Sequence, residues 1–164
     1  MPEIIFDNCV LSNFALSYSL NIIKRLHANH SFITDFVMAE NFKGIFKGYK
    51  ELAKIKNAIK EGWLKEITLK TMEEKAIFER LSVSLGFGEA SSIAAAKVRG
   101  LVFACDDKAA RKEAALLGIR LTGTVGILIK AIRKRIIDRN KANEILHRMI
   151  AYGFYSPVSS IDID

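Results

Sequence analysis

The sequence has few of the residues from which several kinds of active site are built. Its 164 residues include only two cysteines and three histidines. Cys9 and Cys105 follow predicted strands, and we expect both to be buried, reduced thiols. His27, His30 and His147 have no cysteine at the spacing of a zinc site. The pattern therefore argues against zinc and offers no protein nucleophile.

Long apolar runs are also absent. No run approaches the ~20 residues that a membrane-spanning helix needs, and the start of the chain lacks the basic and apolar regions of a signal peptide. We therefore expect a cytoplasmic protein with no membrane partner. There are no internal repeats, low-complexity tracts or linkers, so residues 1–164 are expected to form a single domain.

Acidic residues are outnumbered by basic ones. Lys and Arg total 25 against 18 Asp and Glu, a formal net charge of +7, which favours a polyanionic partner such as nucleic acid. The segment Lys43–Lys65 is especially rich in lysine, and its pattern predicts an amphipathic basic helix after a hinge at Gly44. Two interpretations of this segment stay open: an ordinary solvated lysine face, or an arm that contacts RNA.

Short apolar runs alternate with helical patterns along the chain. Strands are predicted at residues 4–6, 31–34, 63–69, 101–105 and 119–121. The first predicted helix spans about Leu11 to Leu26, and the last spans about Asp138 to Ala151. Alternation at this spacing predicts an α/β fold with a mostly parallel sheet.

The acidic residues that draw attention occupy four places, each beside an apolar or glycine-rich stretch. They are Asp7, Glu40, Glu89 and the pair Asp106–Asp107. Asp7 and Asp106 each end a predicted strand, and parallel strands bring such residues to one rim of the sheet. Glu40 comes a few residues into the helix after the second strand. Glu89 lies in the first turn of a helix behind a Gly-x-Gly loop, so all four places can converge.

Clustered carboxylates repel one another unless a cation lies among them. Mg²⁺ and Mn²⁺ are hard cations that prefer carboxylate oxygens and water. Such a metal activates water and polarises a phosphoryl oxygen without a protein nucleophile. The pattern therefore indicates phosphodiester hydrolysis. Taken alone, each acid also has a structural explanation, such as a helix cap for Asp7 or for one of the pair Asp106–Asp107.

Three motifs give the chain a recognisable resemblance. They are Gly88-Glu89, Asp106-Asp107-x-x-Ala110-Arg111 and Gly123-Thr124. Together they resemble a PIN domain, and more narrowly the prokaryotic subgroup of VapC-like toxin ribonucleases. The likeness extends from Ile4 to about Ile136 and is most specific between Gly86 and Leu128.

The resemblance implies a three-layer α/β/α fold, a ribonuclease that uses Mg²⁺ or Mn²⁺, and the role of toxin in a toxin–antitoxin pair. Asp7, Glu40, Glu89 and either Asp106 or Asp107 would hold the metal and activate water. Thr124 would supply a site hydroxyl. Independently of the resemblance, Arg111 lies four residues after Asp107 on the same helix face and is expected to pair with Asp106 or Asp107. The chain departs from the family pattern after the first Asp, where Asn8 and Cys9 replace the usual small hydroxyl residue.

Two further classes of function stay open. The same fold can serve as a module that binds RNA or protein without cleaving, supported by the basic run of Lys130, Arg133, Lys134 and Arg135. It can also serve as a scaffold that binds an antitoxin or a second copy. For the scaffold, the apolar residues of the last helix either pack on the core or form a homodimer; they are Ile145, Leu146, Met149 and Ile150.

Overall fold

Five short parallel strands form the centre of the molecule. The computed structural model describes residues 2–163, and its sheet has the order β3-β2-β1-β4-β5. The strands are β1 (Ile4–Phe6), β2 (Ser31–Thr34), β3 (Leu64–Ile67), β4 (Val102–Ala104) and β5 (Leu121–Thr122). In the central strand, Ile5 pairs with Phe32 on one side and with Phe103 on the other. The predicted α/β fold with a parallel sheet is confirmed.

Helices connect successive strands and cover both faces of the sheet. In the described part of the chain they are α1 (Asn8–Leu16), α2 (Leu20–His27), α3 (Asp35–Phe46), α4 (Ala53–Glu61), α5 (Met72–Leu81), α6 (Phe87–Arg99), α7 (Lys108–Leu116), α8 (Thr124–Arg133) and α9 (Arg139–Ala151). A short 3₁₀ turn, Lys50–Leu52, lies between α3 and α4.

The two faces of the sheet bury separate cores, because successive side chains of a strand point in opposite directions. Ile4 and Phe6 face a core completed by α1–α4, α8 and α9. Ile5 faces a second core completed by α5, α6 and α7. Helices on both faces of one sheet make the three-layer α/β/α architecture that was expected. Within residues 2–163, no helix combines the length and apolarity that crossing a bilayer requires.

The first predicted helix is interrupted, so the prediction of one helix over residues 11–26 was wrong. The Ser17 hydroxyl donates to the carbonyl of Asn13 at 2.7 Å, and the Ser19 N–H donates to the carbonyl of Phe14 at 2.8 Å. Tyr18 between them adopts a left-handed φ of 58°. Serine hydroxyls compete with the helical hydrogen bonds of the backbone, and the chain turns here between α1 and α2.

The basic segment is also organised differently from the prediction. The helix α3 continues through Gly44 and ends at Phe46, and the break comes at Gly48, whose φ is +104°. Gly44 is not a hinge but a point of close packing, since a Cβ there would meet Leu52 Cδ1 at 2.5 Å. The Asn41 amide donates to the Leu52 carbonyl at 3.2 Å and so holds the returning chain against α3.

The last helix packs on the core of its own chain. Ile145, Leu146 and Met149 are almost completely buried in the core that includes α8. Ile150 remains 38% exposed. Three of the four apolar residues are therefore used within the fold.

Candidate active site

Asp7 lies at the centre of the rim that the carboxyl ends of the strands form. Asp7 directly follows β1, and its N–H donates to the Ala104 carbonyl on the neighbouring strand at 2.9 Å. Its side chain is only 2% exposed. Burial, and then the charges of Glu89 and Glu40, raise the pKa of Asp7 to about 7, although the N–H groups of Asn8 and Cys9 oppose the rise. A buried carboxylate among other carboxylates is a site that favours a cation.

Glu40 reaches the site from α3 and is held by the start of α6. The Gly88 N–H donates to Glu40 Oε1 at 3.2 Å. A side chain at position 88 would overlap the Glu40 carboxylate, so only glycine permits this approach. The hydroxyls of Ser91 and Ser92 both donate to the Gly88 carbonyl, at 3.0 and 2.8 Å. Burial raises the pKa of Glu40, while the Gly88 N–H and the Lys43 charge lower it in part.

Glu89 is the next residue on α6 and shares the electrostatic environment of Asp7. Burial is the main cause that raises the pKa of Glu89, and the charges of Asp107 and Glu40 raise it further. The Gly86 N–H lowers it in part. The tight packing of α6 on the sheet depends on its small side chains. Its buried residues include Ala90, Ser91, Ser92, Ala94, Ala95 and Ala96. This close helix–sheet contact brings Glu89 to the rim.

Asp106 accepts hydrogen bonds on both of its carboxylate oxygens. The Thr124 N–H donates to its Oδ1 at 2.9 Å, and the Thr124 hydroxyl donates to its Oδ2 at 2.5 Å. Both donors belong to the first residue of α8, where exposed N–H groups favour a carboxylate. A Cβ at Gly123 would lie 2.6 Å from Asp106 Oδ1. The Gly123-Thr124 pair therefore gives room and two hydrogen bonds to one carboxylate.

Asn13 belongs to the same network, and the sequence reasoning missed it. Its amide donates to the Thr124 hydroxyl at 3.0 Å and to Asp106 Oδ2 at 3.4 Å. The amide thereby connects α1 to the starts of α7 and α8. A signal for this role was present, since asparagine is unfavourable inside a helix and Asn13 stands with Ser12 between the apolar pairs Val10-Leu11 and Phe14-Ala15 of α1.

The two neighbouring aspartates point to different partners. Asp107 is the N-cap of α7, and its Oδ2 accepts the Ala110 N–H at 2.9 Å. Within residues 2–163, Arg111 does not form the predicted pair with an acid. Its guanidinium donates instead to the carbonyls of Cys105 and Thr122, at 2.7 and 2.9 Å. These carbonyls lie at the ends of β4 and β5, where the Thr122 carbonyl also accepts the Cys105 N–H at 3.1 Å, and Arg111 adds a hydrogen bond to each of them.

The two cysteines flank Asp7 in different environments. Cys105 is buried as expected, with its thiol 3.9 Å from Asp7 Oδ2. Cys9 is exposed, so the prediction that both thiols are buried was wrong for Cys9. Cys9 lies in the first turn of α1, in which Val10 and Leu11 are the residues that face the core. Desolvation by the surrounding protein is the main cause that raises the pKa of Cys9 to about 12. The negative charges of the nearby carboxylates raise it further; they are Asp7, Glu89, Asp106 and Glu40.

The donor set suits a hard divalent cation. Its oxygens are carboxylates, and the charge on buried Asp7 lacks a cationic partner strong enough to keep its pKa low. Within residues 2–163, no three His, Cys, Asp or Glu side chains are gathered closely enough to enclose a metal by themselves. Mg²⁺ commonly takes only one or two carboxylates and completes its shell with water and substrate phosphate. The residues present therefore fit Mg²⁺ or Mn²⁺.

Comparison with known proteins agrees with this geometry. The family model of DUF3368, described as a PIN domain, matches residues 3–162. Among the curated proteins, none matches the sequence. The crystal structure of PAE2754 from Pyrobaculum aerophilum is similar in fold, with a TM-score of 0.51 and 18% sequence identity, over 79% of this chain and 96% of that one.

Proposed function

The chain belongs to the PIN-domain family, which has a nuclease-type fold, and from this premise we propose that it is a metal-dependent endoribonuclease. The observation that carries the proposal is the environment of Asp7, a carboxylate 2% exposed whose pKa is raised to about 7 by burial and by Glu89 and Glu40. Repulsion between the charge of Asp7 and those of Glu89 and Glu40 does not stabilise the fold. Its presence at the rim of a parallel sheet is typical of a site built for a cation.

The candidate metal ligands are Asp7, Glu40, Glu89 and Asp106, of which one or two would bind the ion directly and the others through its water molecules. A bound Mg²⁺ or Mn²⁺ supplies an activated water and stabilises charge on the phosphoryl oxygens. We assign Asp106 instead of Asp107 to this set, because the charge of Asp106 acts on the two thiols that flank Asp7, whereas Asp107 caps α7. Asp107 remains close enough to act on the charge of Glu89.

The surrounding residues position these carboxylates. The Gly88 N–H fixes one oxygen of Glu40, while Thr124 and Asn13 orient Asp106. Donors that hold carboxylates in place before substrate binds remove a cost of reorganisation from the reaction. Thr124 thus acts as the site hydroxyl through its hydrogen bond to Asp106.

A covalent mechanism through Cys9 is disfavoured by electrostatics. Cys9 is exposed beside the acids, but its pKa of about 12 keeps the thiol protonated near pH 7. The thiolate is the nucleophilic form of cysteine. Hydrolysis by a metal-activated water needs no such group, and the proposal therefore assigns Cys9 no chemical step.

We extend the proposal to a toxin role, with cellular RNA as substrate, an antitoxin protein as partner and the cytoplasm as location. The support is the resemblance of the Gly88-Glu89, Asp106-Asp107 and Gly123-Thr124 motifs to toxin ribonucleases. Expression of the wild-type protein in a bacterial host should then arrest growth, whereas expression of Asp7→Asn at the same level should not. Equal growth with both proteins, each present in folded form, would contradict the toxin role.

Cleavage of a mixed pool of structured RNAs tests the enzymatic proposal. The wild-type protein should cut with Mg²⁺ or Mn²⁺ and stop cutting in EDTA. Asp7→Asn should lose cleavage, while the control Glu66→Gln, an exposed carboxylate on the edge strand β3, should keep it. RNA binding without cleavage by folded, metal-supplemented, antitoxin-free protein would instead favour a non-cleaving binding module.

A further inference from the structure

An exposed aromatic ring lies beside the candidate site. Phe87 is 58% exposed, and it stands between the two glycines that precede Glu89. Its ring centroid lies 5.8 Å from that of Phe36, edge to face, and 5.7 Å from that of Phe78. Phe36 and Phe78 themselves stack at 4.9 Å. Two ring contacts hold Phe87 in place while more than half of it faces solvent.

One face of α3 extends from the Phe87 ring past the candidate site. Phe36, Glu40, Lys43 and Lys47 are separated by four, three and four residues, so they share one face of the helix. Lys43 lies near enough to stabilise the charge of Glu40. At a rise of about 1.5 Å per residue, Lys43 and Lys47 lie roughly 5 and 10 Å beyond Glu40 along the axis.

Lys43 and Lys47 both face solvent. Both are exposed, and within residues 2–163 neither forms a salt bridge. The acids of the basic segment are engaged elsewhere. Glu51 accepts a hydrogen bond from Tyr18 at 3.3 Å, and Glu61 pairs with Lys24 at 3.1 Å. The face between Glu40 and Lys47 is thus positively charged just beyond the acidic pocket.

We propose that this surface holds an unpaired segment of RNA, with a base stacked on Phe87 and phosphates bound by Lys43 and Lys47. The inference rests on the proposed function, because the scissile phosphate would lie at the acids between these two contacts. An unstacked base can reach the exposed ring, whereas the bases of a duplex have both faces covered by their neighbours. Aromatic rings combined with a positive track are the usual means of binding single strands.

Binding measured in EDTA separates this inference from catalysis. The probes are a fluorescent single-stranded RNA of about 12 nucleotides and a duplex of the same sequence, read by anisotropy at several salt concentrations. The variants are Phe87→Ala and the double variant Lys43→Gln/Lys47→Gln. Controls are Tyr155→Ala, which removes an aromatic ring that is 92% exposed in the C-terminal segment, and Lys60→Gln at the far end of α4.

Phe87→Ala should weaken single-strand binding about tenfold, as expected for the loss of one stacked base, and change duplex binding less than twofold. The double lysine variant should reduce the slope of log Kobs against log salt by about 1.4, or roughly 0.7 for each phosphate contact with a single strand. Both controls should bind like the wild type.

Wild-type affinity of both variants for both RNAs would overturn the inference and leave this face to a protein partner. An equal loss on duplex and single strand would also overturn it, since the ring would then not select unpaired bases. If these effects occur but no metal-dependent cleavage is found, the RNA track stands and the proposed nuclease fails. If cleavage is found without these effects, the nuclease stands and the track fails.

Discussion

Replacement of Asp7 by asparagine should stabilise the metal-free protein at neutral and alkaline pH. Asparagine has nearly the same shape but no charge, so it removes the repulsion from Glu89 and Glu40 and the burden of a buried charge. The Asp7 side chain is 2% exposed and its pKa is about 7, against about 3.9 in an unfolded chain. A gain in stability on removing an acidic residue is the opposite of what loss of a salt bridge produces.

The sign and size follow from proton linkage. A carboxyl whose pKa is raised by folding binds its proton more tightly in the native state, so its favourable contribution is complete below the unfolded pKa and is lost as the pH rises through the folded pKa. A difference of about three pKa units corresponds to about 4 kcal/mol at 1.36 kcal/mol per unit. The gain from Asp7→Asn should therefore grow from near zero below pH 4 to about 4 kcal/mol above pH 7.

Thermal and urea unfolding between pH 4.5 and 8.5 in EDTA would measure this difference. At 2–4 °C per kcal/mol for a chain of this size, Asp7→Asn should melt roughly 10 °C above the wild type at pH 8. Glu66→Gln should follow the wild type at every pH. Mg²⁺ or Mn²⁺ at about 100 times its Kd should stabilise the wild type by about 2.7 kcal/mol and have little effect on Asp7→Asn. Parallel curves for wild type and Asp7→Asn across the pH range, or a less stable variant at pH 8, would refute the reasoning.

Three other predictions concern single contacts. Gly88→Ala should lower RNA cleavage about 100-fold, because its Cβ would displace the Glu40 carboxylate and small misplacements of catalytic groups slow a reaction strongly. The control Gly86→Ala should stay within twofold of the wild type, since the atom nearest to its Cβ would be Glu89 Oε2 at 3.9 Å. Equal rates for the two variants would count against a role for Glu40. Asn13→Ala should reduce cleavage about tenfold, because it removes a donor that orients Asp106, while unfolding changes by less than about 1 kcal/mol. Unchanged kinetics would remove Asn13 from the site. Arg99→Met should lower the free energy of unfolding by about 2 kcal/mol, because it strips Glu74, which is 1% exposed, of the Arg99 Nε donor at 2.7 Å. Lys24→Met, which breaks an exposed pair, should change it by less than about 1 kcal/mol, and equal effects in urea titrations would contradict the assignment of a buried pair.

Local sequence patterns predicted elements whose boundaries depend on nearby residues. Thr71 and Glu74, three residues apart, form a capping box at the start of α5, and Gly100 ends α6 in a left-handed conformation. The strand at residues 4–6 is apolar and fully buried, so its run of three apolar residues was enough to predict it. These features need only the hydrogen bonds and the φ preference of a few neighbouring residues.

Predictions failed where distant parts of the chain decide the outcome. Gly44 looked like a hinge in its own segment, but it is helical because Leu52 returns to pack against it. Arg111 looked like a partner for an acid four residues away, but its guanidinium binds the carbonyls of Cys105 and Thr122 at the ends of β4 and β5 instead. Cys9 follows a buried strand, yet the rotation of α1 leaves it exposed. In each case the competing contact lies beyond the reach of local pattern.

The sequence by itself determined that strands and helices alternate, that the chain is basic, and that four acidic places follow apolar or glycine-rich stretches, because these are properties of residue order and composition. Only the tertiary structure decided that Asp7 lies among Glu40 and Glu89 and that Asn13 joins Thr124 in holding Asp106. The physical reason is that pKa and hydrogen bonding depend on distance and burial in space. Positions 7, 40, 89 and 106 acquire these only when parallel strands bring their ends to one rim.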